Sequence, residues 1–322
     1  MRESAVMGGR PLGHSGLKVS AVGLGCMNFG LMCDQAAVNS IVDAALDVGV
    51  TFFDVADIYG GPHGAAESLL GKALGARRGS IVLATKFGAK RGGRGGAADR
   101  GGSREYIVKA VEDSLTRLGT DYIDLYQHHF PDAGTPVEET LRALEDLVRA
   151  GKVRHVGCSN YDGAQLKAAT IAAKADKFAG FVSAQNRYSL LHRAIESDLV
   201  PIAQGQQIGI IPYFPLESGL LSGKYRRGEA PGADTRFGKW KGGGSFVSEA
   251  RWAIVGNLEN YGAGIGHSLL DLAIGWLVAQ PYVSSVIAGV TNPDQIRQNV
   301  QAAAWAPTPE QVVKIGELAA AG

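Results

Sequence analysis

The chain has almost no net charge: 32 Lys and Arg against 31 Asp and Glu leave +1 over 322 residues. No overall field therefore draws it to nucleic acid or to an anionic membrane surface. Long apolar runs are missing too. None approaches the ~20 residues that a membrane-spanning helix requires, and the opening MRESAVMGGR lacks the apolar core of a signal peptide. Cysteine is scarce: Cys26, Cys33 and Cys158 are odd in number and show neither CxxC nor metal-ligand spacing. That argues against a disulfide framework and points to free thiols in the cytoplasm. Also lacking is a GxGxxG after the first apolar strand, where Gly23-Leu24-Gly25-Cys26-Met27-Asn28 has no third glycine. A Rossmann-type nucleotide domain would normally carry that fingerprint.

What is present is a core-forming composition, 45% hydrophobic and 20% charged, in a chain long enough for one domain or two. The 45 glycines suit many tight turns between strands and helices. Leu12 through Ser20 reads as a small hairpin around His14-Ser15-Gly16. Strands are then expected at residues 21–25, 51–54, 81–86, 122–127, 153–157, 181–185, 208–213 and 283–288, and helices at 35–48, 65–74 and 104–118. Ser103 is placed to cap the third helix, whose stripe is Ile107, Val111, Leu115 and Leu118. A further helix turns Val137, Leu141, Leu144 and Val148 inward. Strict alternation of strand and helix implies a parallel sheet covered by helices. Eight such units favour an α/β fold of the (β/α)8 barrel kind over an open doubly wound sheet.

In a βα barrel the functional groups gather at the carboxyl ends of the strands. Those ends carry Asp54, Lys86, His128-His129, Ser159-Asn160, Gln185 and Tyr213. Singly, each has an ordinary explanation: a turn aspartate, a snorkelling lysine, a core histidine. Together on one rim they are hard to ascribe to packing. Tyr59 follows Asp54 just before a Gly60-Gly61-Pro62 turn, and a phenol is a usable acid at neutral pH. A nearby ammonium lowers the pKa of a phenol. Lys86 is the expected cation, Asp54 its anchor, and His129 the group that orients a substrate oxygen. Such a site suits protonation of an oxygen that gains negative charge as hydride adds to a carbonyl. Ser159, Asn160 and Gln185 offer groups that could bond a nicotinamide carboxamide, and Tyr213 a ring to stack on it.

The motifs FFDVADIYG, ATKFG, SLTRLGTDYIDLYQHHFPD, GKVRHVGCSNY, SAQNRYSLL and PLESGLLSGK make the chain similar, essentially end to end, to the aldo-keto reductases. That resemblance implies one βα-barrel domain over residues 1–322, binding NADPH in extended form without a Rossmann domain. It implies a catalytic tetrad of Asp54, Tyr59, Lys86 and His129, with His129 selected over His128 by the following Phe130-Pro131. It places nicotinamide contacts on Ser159, Asn160, Gln185 and Tyr213. Pyrophosphate contacts fall on Pro215, Leu216, Ser218, Gly219, Leu221 and Lys224, and first-strand contacts on Gly25, Cys26 and Met27. Adenosine-end contacts fall on Gly289, Thr291, Gln295, Gln298 and Asn299.

Basic residues that many members use to grip a 2′-phosphate are replaced here by neutral groups at Thr291-Asn292 and Gln295, with Arg297 nearby. NADP(H) is the expected cofactor on family grounds, and NAD(H) is an open alternative. The expected activity is NAD(P)H-dependent reduction of an aldehyde or ketone, or the reverse alcohol oxidation. Its partner is a small-molecule carbonyl or alcohol, with no nucleic acid, membrane or metal. Two other readings stand beside it: a nucleotide-binding barrel acting mainly as a regulatory partner subunit, and a metal-dependent hydrolase using His128, His129 and Asp54. The second lacks the HxH strand signature such enzymes often carry. Two long loops are read as mouth elements. The Gly/Arg-rich residues 88–102 resemble an RGG tract but sit between a strand and a helix, and residues 229–248 follow the proposed pyrophosphate segment.

Overall fold

The computed structural model describes residues 9–61, 64–89, 101–232, 238 and 247–320. The strands β1 (Arg10–Pro11) and β2 (Lys18–Val19) pair antiparallel as the opening hairpin. Eight parallel strands follow: β3 (Val22–Gly25), β4 (Phe52–Asp54), β5 (Val82–Phe87), β6 (Ile123–His128), β7 (Val153–Ser159), β8 (Phe181–Arg187), β9 (Gly209–Tyr213) and β10 (Val286–Gly289). They are ordered β10-β3-β4-β5-β6-β7-β8-β9. The sheet closes where the Ile210 N–H donates to Tyr282 O and the Ser284 N–H donates to Ile210 O, each at 2.8 Å. This is a (β/α)8 barrel.

Helices cover the outside: α1 (Gln35–Asp47), α2 (Ala65–Leu74), α3 (Arg104–Leu118), α4 (Val137–Arg149), α5 (Gly163–Ala175), α6 (Leu199–Gly205), α7 (Glu249–Gly264), α8 (Leu269–Val278), α9 (Pro293–Ala303) and α10 (Pro309–Ala320). Ser103 caps α3 by accepting from the Tyr106 N–H, and its expected stripe of Ile107, Val111, Leu115 and Leu118 is buried. The last barrel strand begins at Val286 rather than Val283, because Val283 is spent on the single bridge to Ile210 that closes the barrel. Strands β7 and β8 run on through Ser159 and Gln185, so both side chains stand on strands and not on the loops beyond them.

Two apolar layers result. The larger lies between sheet and helices; the smaller fills the barrel with Phe52, Ala84, Leu125, Val182, Ile211 and Ile287. Side chains alternate along a strand, so residues two apart share a face. Two residues on from Phe52, Ala84, Leu125 and Ile211 come Asp54, Lys86, Gln127 and Tyr213. The inner apolar layer thus becomes polar one step toward the carboxyl rim.

The hairpin plugs the opposite end. Leu12 and Val19 join the inner layer, and Arg10 donates to Val283 O at 2.8 Å. Gly13 makes the close approach possible: at φ +53°, an added Cβ would lie 2.1 Å from Val182 O.

Candidate active site

Tyr59 is set by the turn beneath it. Its N–H donates to Ala56 O at 3.1 Å, and Ala66 N–H returns a bond to Tyr59 O at 3.2 Å. Gly60 (φ +95°) lets the chain fold back, since a Cβ there would meet Ala65 Cβ and the Ala66 nitrogen at 2.8 Å. The Gly61 N–H donates to Gly30 O at 3.3 Å and fastens this turn to the loop after β3.

Lys86 reaches up from β5 beneath it and is wholly buried. Its Nζ donates to Asp54 Oδ2 at 2.5 Å, to Val55 O at 3.0 Å and to the Tyr59 hydroxyl at 3.4 Å. The other oxygen of Asp54 accepts from Gln127 Nε2 at 3.0 Å and from Gln185 Nε2 at 2.9 Å. A buried ion pair is tolerated where its remaining hydrogen-bonding capacity is used, and here it is. Burial works to lower the Lys86 pKa, but Asp54 and Tyr59 together outweigh it and hold the ammonium above its ordinary value.

The phenol departs from the sequence-based expectation. Burial raises the Tyr59 pKa by more than the Lys86 ammonium lowers it, so the net shift is upward. Tyr59 therefore holds its proton firmly until a stronger base arrives. His129 stands edge-on to Tyr59 with ring centroids 5.8 Å apart. Burial, the Lys86 charge and neighbouring His128 push its imidazole well below the usual range, leaving it neutral. His128 faces the other way: it stacks on Phe87 at 5.1 Å and bonds the Tyr161 hydroxyl through Nδ1 at 2.8 Å. With the two histidines on opposite faces, they do not converge with Asp54 on one point. Among the described residues, no group of three or more His, Cys, Asp or Glu side chains is placed to hold a metal.

Asp54, Tyr59 and His129 open onto a cavity of about 860 Å³. It is also lined by Gly25, Cys26, Met27, Ser159, Asn160, Gln185, Tyr213, Pro215, Leu216, Ser218, Gly219, Lys224, Gly289, Thr291, Gln295, Gln298 and Asn299. Two expected residues stand behind the wall. Lys86 meets the cavity only by way of its bonds to Asp54 and Tyr59, and Leu221 is fully buried in the outer core, with its N–H donated to Leu216 O at 3.1 Å. Leu221 thus offers neither side chain nor amide to a ligand, because the tight turn closes on itself.

The rim polar groups are bonded to one another. The Tyr213 hydroxyl donates to Asn160 Oδ1 at 2.6 Å, Asn160 Nδ2 to His129 O at 2.9 Å, and Ser159 Oγ to Gln185 O at 2.8 Å. Gln185 supports Asp54 as well as lining the cavity. Cys26 is buried, and burial, reinforced by Asp54, drives its thiol well above the ordinary value, as befits a packing residue. At the far end Asn292 caps α9 through the Gln295 N–H at 3.1 Å, and Gln295 Oε1 accepts from the Thr291 N–H at 2.8 Å. Arg297 pairs with Asp294 at 3.2 Å, and of the two Asp294 lines the cavity. Much of both loops read as mouth elements, residues 90–100, 233–237 and 239–246, lies outside the described residues.

Sequence reasoning missed Gln127, Asn28, Met32, Phe130 and Asp294. Gln127 was the readable one: it lies near the carboxyl end of β6, two residues before His129. It missed Asp57 as well, a buried acid three residues past Asp54. Asp57 Oδ2 accepts from the Tyr106 hydroxyl at 2.9 Å, and its Oδ1 has no partner among the described residues. Burial, reinforced by Glu67, lifts its carboxyl to about 7. The unfolded chain releases that proton near ~3.9. Stability from this group is therefore full below about pH 4 and falls as pH rises toward 7. Asp57→Asn is expected to melt close to wild type near pH 4 and above it near pH 8, by up to roughly 4 kcal/mol. Thermal melts at the two pH values check this. A gap that does not widen with pH would show that burial leaves the proton undisturbed.

The sequence profile of the Aldo/keto reductase family matches residues 21–320. The chain belongs to that family. It is 38% identical over 315 residues to a "Probable voltage-gated potassium channel subunit beta" of Oryza sativa subsp. japonica, covering 94% of each chain. It is 37% identical over 298 residues to an "Uncharacterized oxidoreductase" of Bacillus subtilis (strain 168), covering 90% of this chain and 89% of that one. An "L-glyceraldehyde 3-phosphate reductase" of Escherichia coli (strain K12) is 33% identical over 304 residues, 91% of this chain and 86% of that one. Aldo-keto reductases are oxidoreductases of small molecules that draw on a nicotinamide cofactor. The cavity, lined by hydroxyl and amide groups, by the Tyr213 ring and by Lys224, suits such a dinucleotide. Among the described residues no helix is long and apolar enough to cross a membrane.

Proposed function

We propose that this aldo-keto reductase reduces an aldehyde or ketone to the alcohol, or runs the reverse reaction, as one barrel domain in the cytoplasm. The observation that carries the reading is the buried chain Asp54–Lys86–Tyr59, with its phenol end on the cavity and Lys86 Nζ 3.4 Å from the hydroxyl. A nicotinamide held there would supply hydride to the carbonyl carbon. As negative charge grows on the carbonyl oxygen, Tyr59 gives it the phenolic proton, and the C=O becomes CH–OH. An alkoxide is far more basic than a phenolate, so the transfer runs downhill even from a phenol raised by burial. The phenolate left behind faces the Lys86 ammonium, which Asp54 holds in place. His129, neutral here, is assigned to orienting the carbonyl.

Ser159, Asn160, Gln185 and Tyr213 would seat the nicotinamide, Pro215, Leu216, Ser218, Gly219 and Lys224 the pyrophosphate, and Gly289, Thr291, Gln295, Gln298 and Asn299 the adenosine. Gly25, Cys26 and Met27 would line its side. NADP(H) is favoured by family resemblance. The adenosine end offers neutral Thr291, Asn292 and Gln295 and the acid Asp294 where a 2′-phosphate would need a cation, which favours NAD(H), and fluorescence titration with both ranks them. The activity is tested by incubating the protein with NADPH or NADH and a reactive aldehyde such as 4-nitrobenzaldehyde. Consumption of the reduced cofactor is expected. Tight cofactor binding without turnover of any reactive aldehyde would sink the enzyme reading. It would support instead the second reading, a regulatory partner subunit, which the name of the rice relative suggests.

A further inference from the structure

The segment Phe214–Gly219 forms one wall of the cavity, yet its backbone lies in a disfavoured region. Phe214, Glu217 and Ser218 take φ of +53°, +45° and +62°, and Gly219 takes +95°. Only the glycine enters that region without steric cost. Half of the six non-glycine residues with positive φ among the described residues fall in this one turn, so the strain is concentrated there. Strained backbone persists only where its surroundings over-determine it. The backbone bonds within the turn are few: Glu217 N–H to Phe214 O at 3.1 Å and Gly219 N–H to Leu216 O at 2.8 Å.

The Tyr225 and Ser222 hydroxyls add bonds to Ser218 O at 3.4 Å and Gly219 O at 2.7 Å, and the side chain of Glu217 adds a charged clamp. Its neighbours Leu216 and Ser218 line the cavity, while its own carboxylate points away into the protein and the residue is buried. It accepts from Arg187 Nε at 3.1 Å and again from Arg187 Nη2, in a two-pronged pair. It also accepts from Ser189 Oγ at 2.9 Å, and Arg251 Nη1 stands 3.6 Å away. Arg187 ends β8, Ser189 lies just past it, and Arg251 is in the first turn of α7. Separate elements thus grip one buried acid in the middle of the strained turn. Bidentate arginine pairs fix geometry as well as charge.

We propose that Glu217 is a positioning residue for the dinucleotide: its clamped carboxylate holds the Phe214–Gly219 turn in the left-handed shape that receives the pyrophosphate. This rests on the reading of the cavity as a nicotinamide-dinucleotide site. Without the clamp the turn relaxes, only a fraction of molecules keeps the receptive shape, and the apparent dissociation constant rises by the inverse of that fraction. Glu217 touches no reacting group, so chemistry in the loaded protein is untouched.

The test is Glu217→Gln, which keeps size and loses charge, titrated with NADPH and NADH by quenching of tryptophan fluorescence and assayed for turnover. Expected is a rise of about tenfold in the cofactor Kd and KM, with kcat at saturating cofactor within about twofold of wild type. Wild-type cofactor affinity in the variant, or a fall in kcat with KM unchanged, would overturn the proposal. A wild-type protein that binds neither NADPH nor NADH would instead overturn the reading beneath it. Should Glu217→Gln fail to fold, Arg251→Gln removes only the outermost partner. It is expected to weaken cofactor binding by about threefold, and unchanged binding there overturns the proposal equally.

Discussion

Tyr59→Phe is expected to lower carbonyl reduction by roughly 10²–10⁴-fold, the range a positioned general acid contributes. The exchange deletes one oxygen from a half-buried ring and leaves its edge contact with His129 in place. Folding and cofactor affinity should therefore stay close to wild type. Lys86 loses one of its three acceptors but keeps Asp54 and Val55 O. Turnover with a reactive aldehyde, beside a fluorescence titration of the cofactor, separates chemistry from binding. A Tyr59→Phe variant with wild-type turnover would refute Tyr59 as the proton source and shift attention to His129. Because burial keeps the phenol protonated and His129 neutral, the wild-type rate should not depend on either group through neutral pH.

Lys86→Met should harm both stability and activity. Methionine fits the volume, but the Asp54 carboxylate is left in a desolvated pocket with only Gln127 and Gln185 to answer it. Breaking one side of a buried pair costs about 3–5 kcal/mol, which for a domain of this size lowers the melting temperature by on the order of 10 °C. Activity should fall as well, since the phenolate formed on proton transfer loses its neighbouring cation. Asp54→Asn combined with Lys86→Met removes both charges. It should recover much of the lost stability and none of the activity, a split that packing alone does not produce. The sign with pH is fixed too: with the Lys86 pKa raised, the pair's contribution is full below the ordinary lysine value and is lost as pH climbs from there through the raised value. A single variant that melts with wild type would show that the pair carries no such weight.

The fold was legible because strand and helix alternate with clear periods, and because Asp54, Lys86 and His129 each follow an apolar strand at its end. Period-two placement brought those three to one rim with no knowledge of contacts. What stayed hidden depends on partners far away in the chain. Gln127 and Gln185 reach Asp54 from 73 and 131 residues off, and no local pattern announces that. The upward shift of Tyr59 was missed because a sequence reveals a nearby cation more readily than the depth of burial that opposes it. Leu221 was expected at the pyrophosphate by family resemblance, and only the closed turn shows that it faces the core. The Glu217 clamp joins residues 187, 189, 217 and 251 through a backbone shape that no propensity scale encodes.

The opening hairpin has a consequence for synthesis. It is made long before its hydrogen-bonding partners: His14 meets Gln207 O, and Arg10 meets Val283 O, 273 residues downstream. Leu12 and Val19 must wait in water, or in some makeshift cluster, until β9 and the stretch before β10 have been made. The barrel's floor therefore stays open until that stretch emerges, and a closure of such high contact order is slow. Nascent chains stalled before Val283 should stay open to a protease at the hairpin, and release of the full chain should protect it.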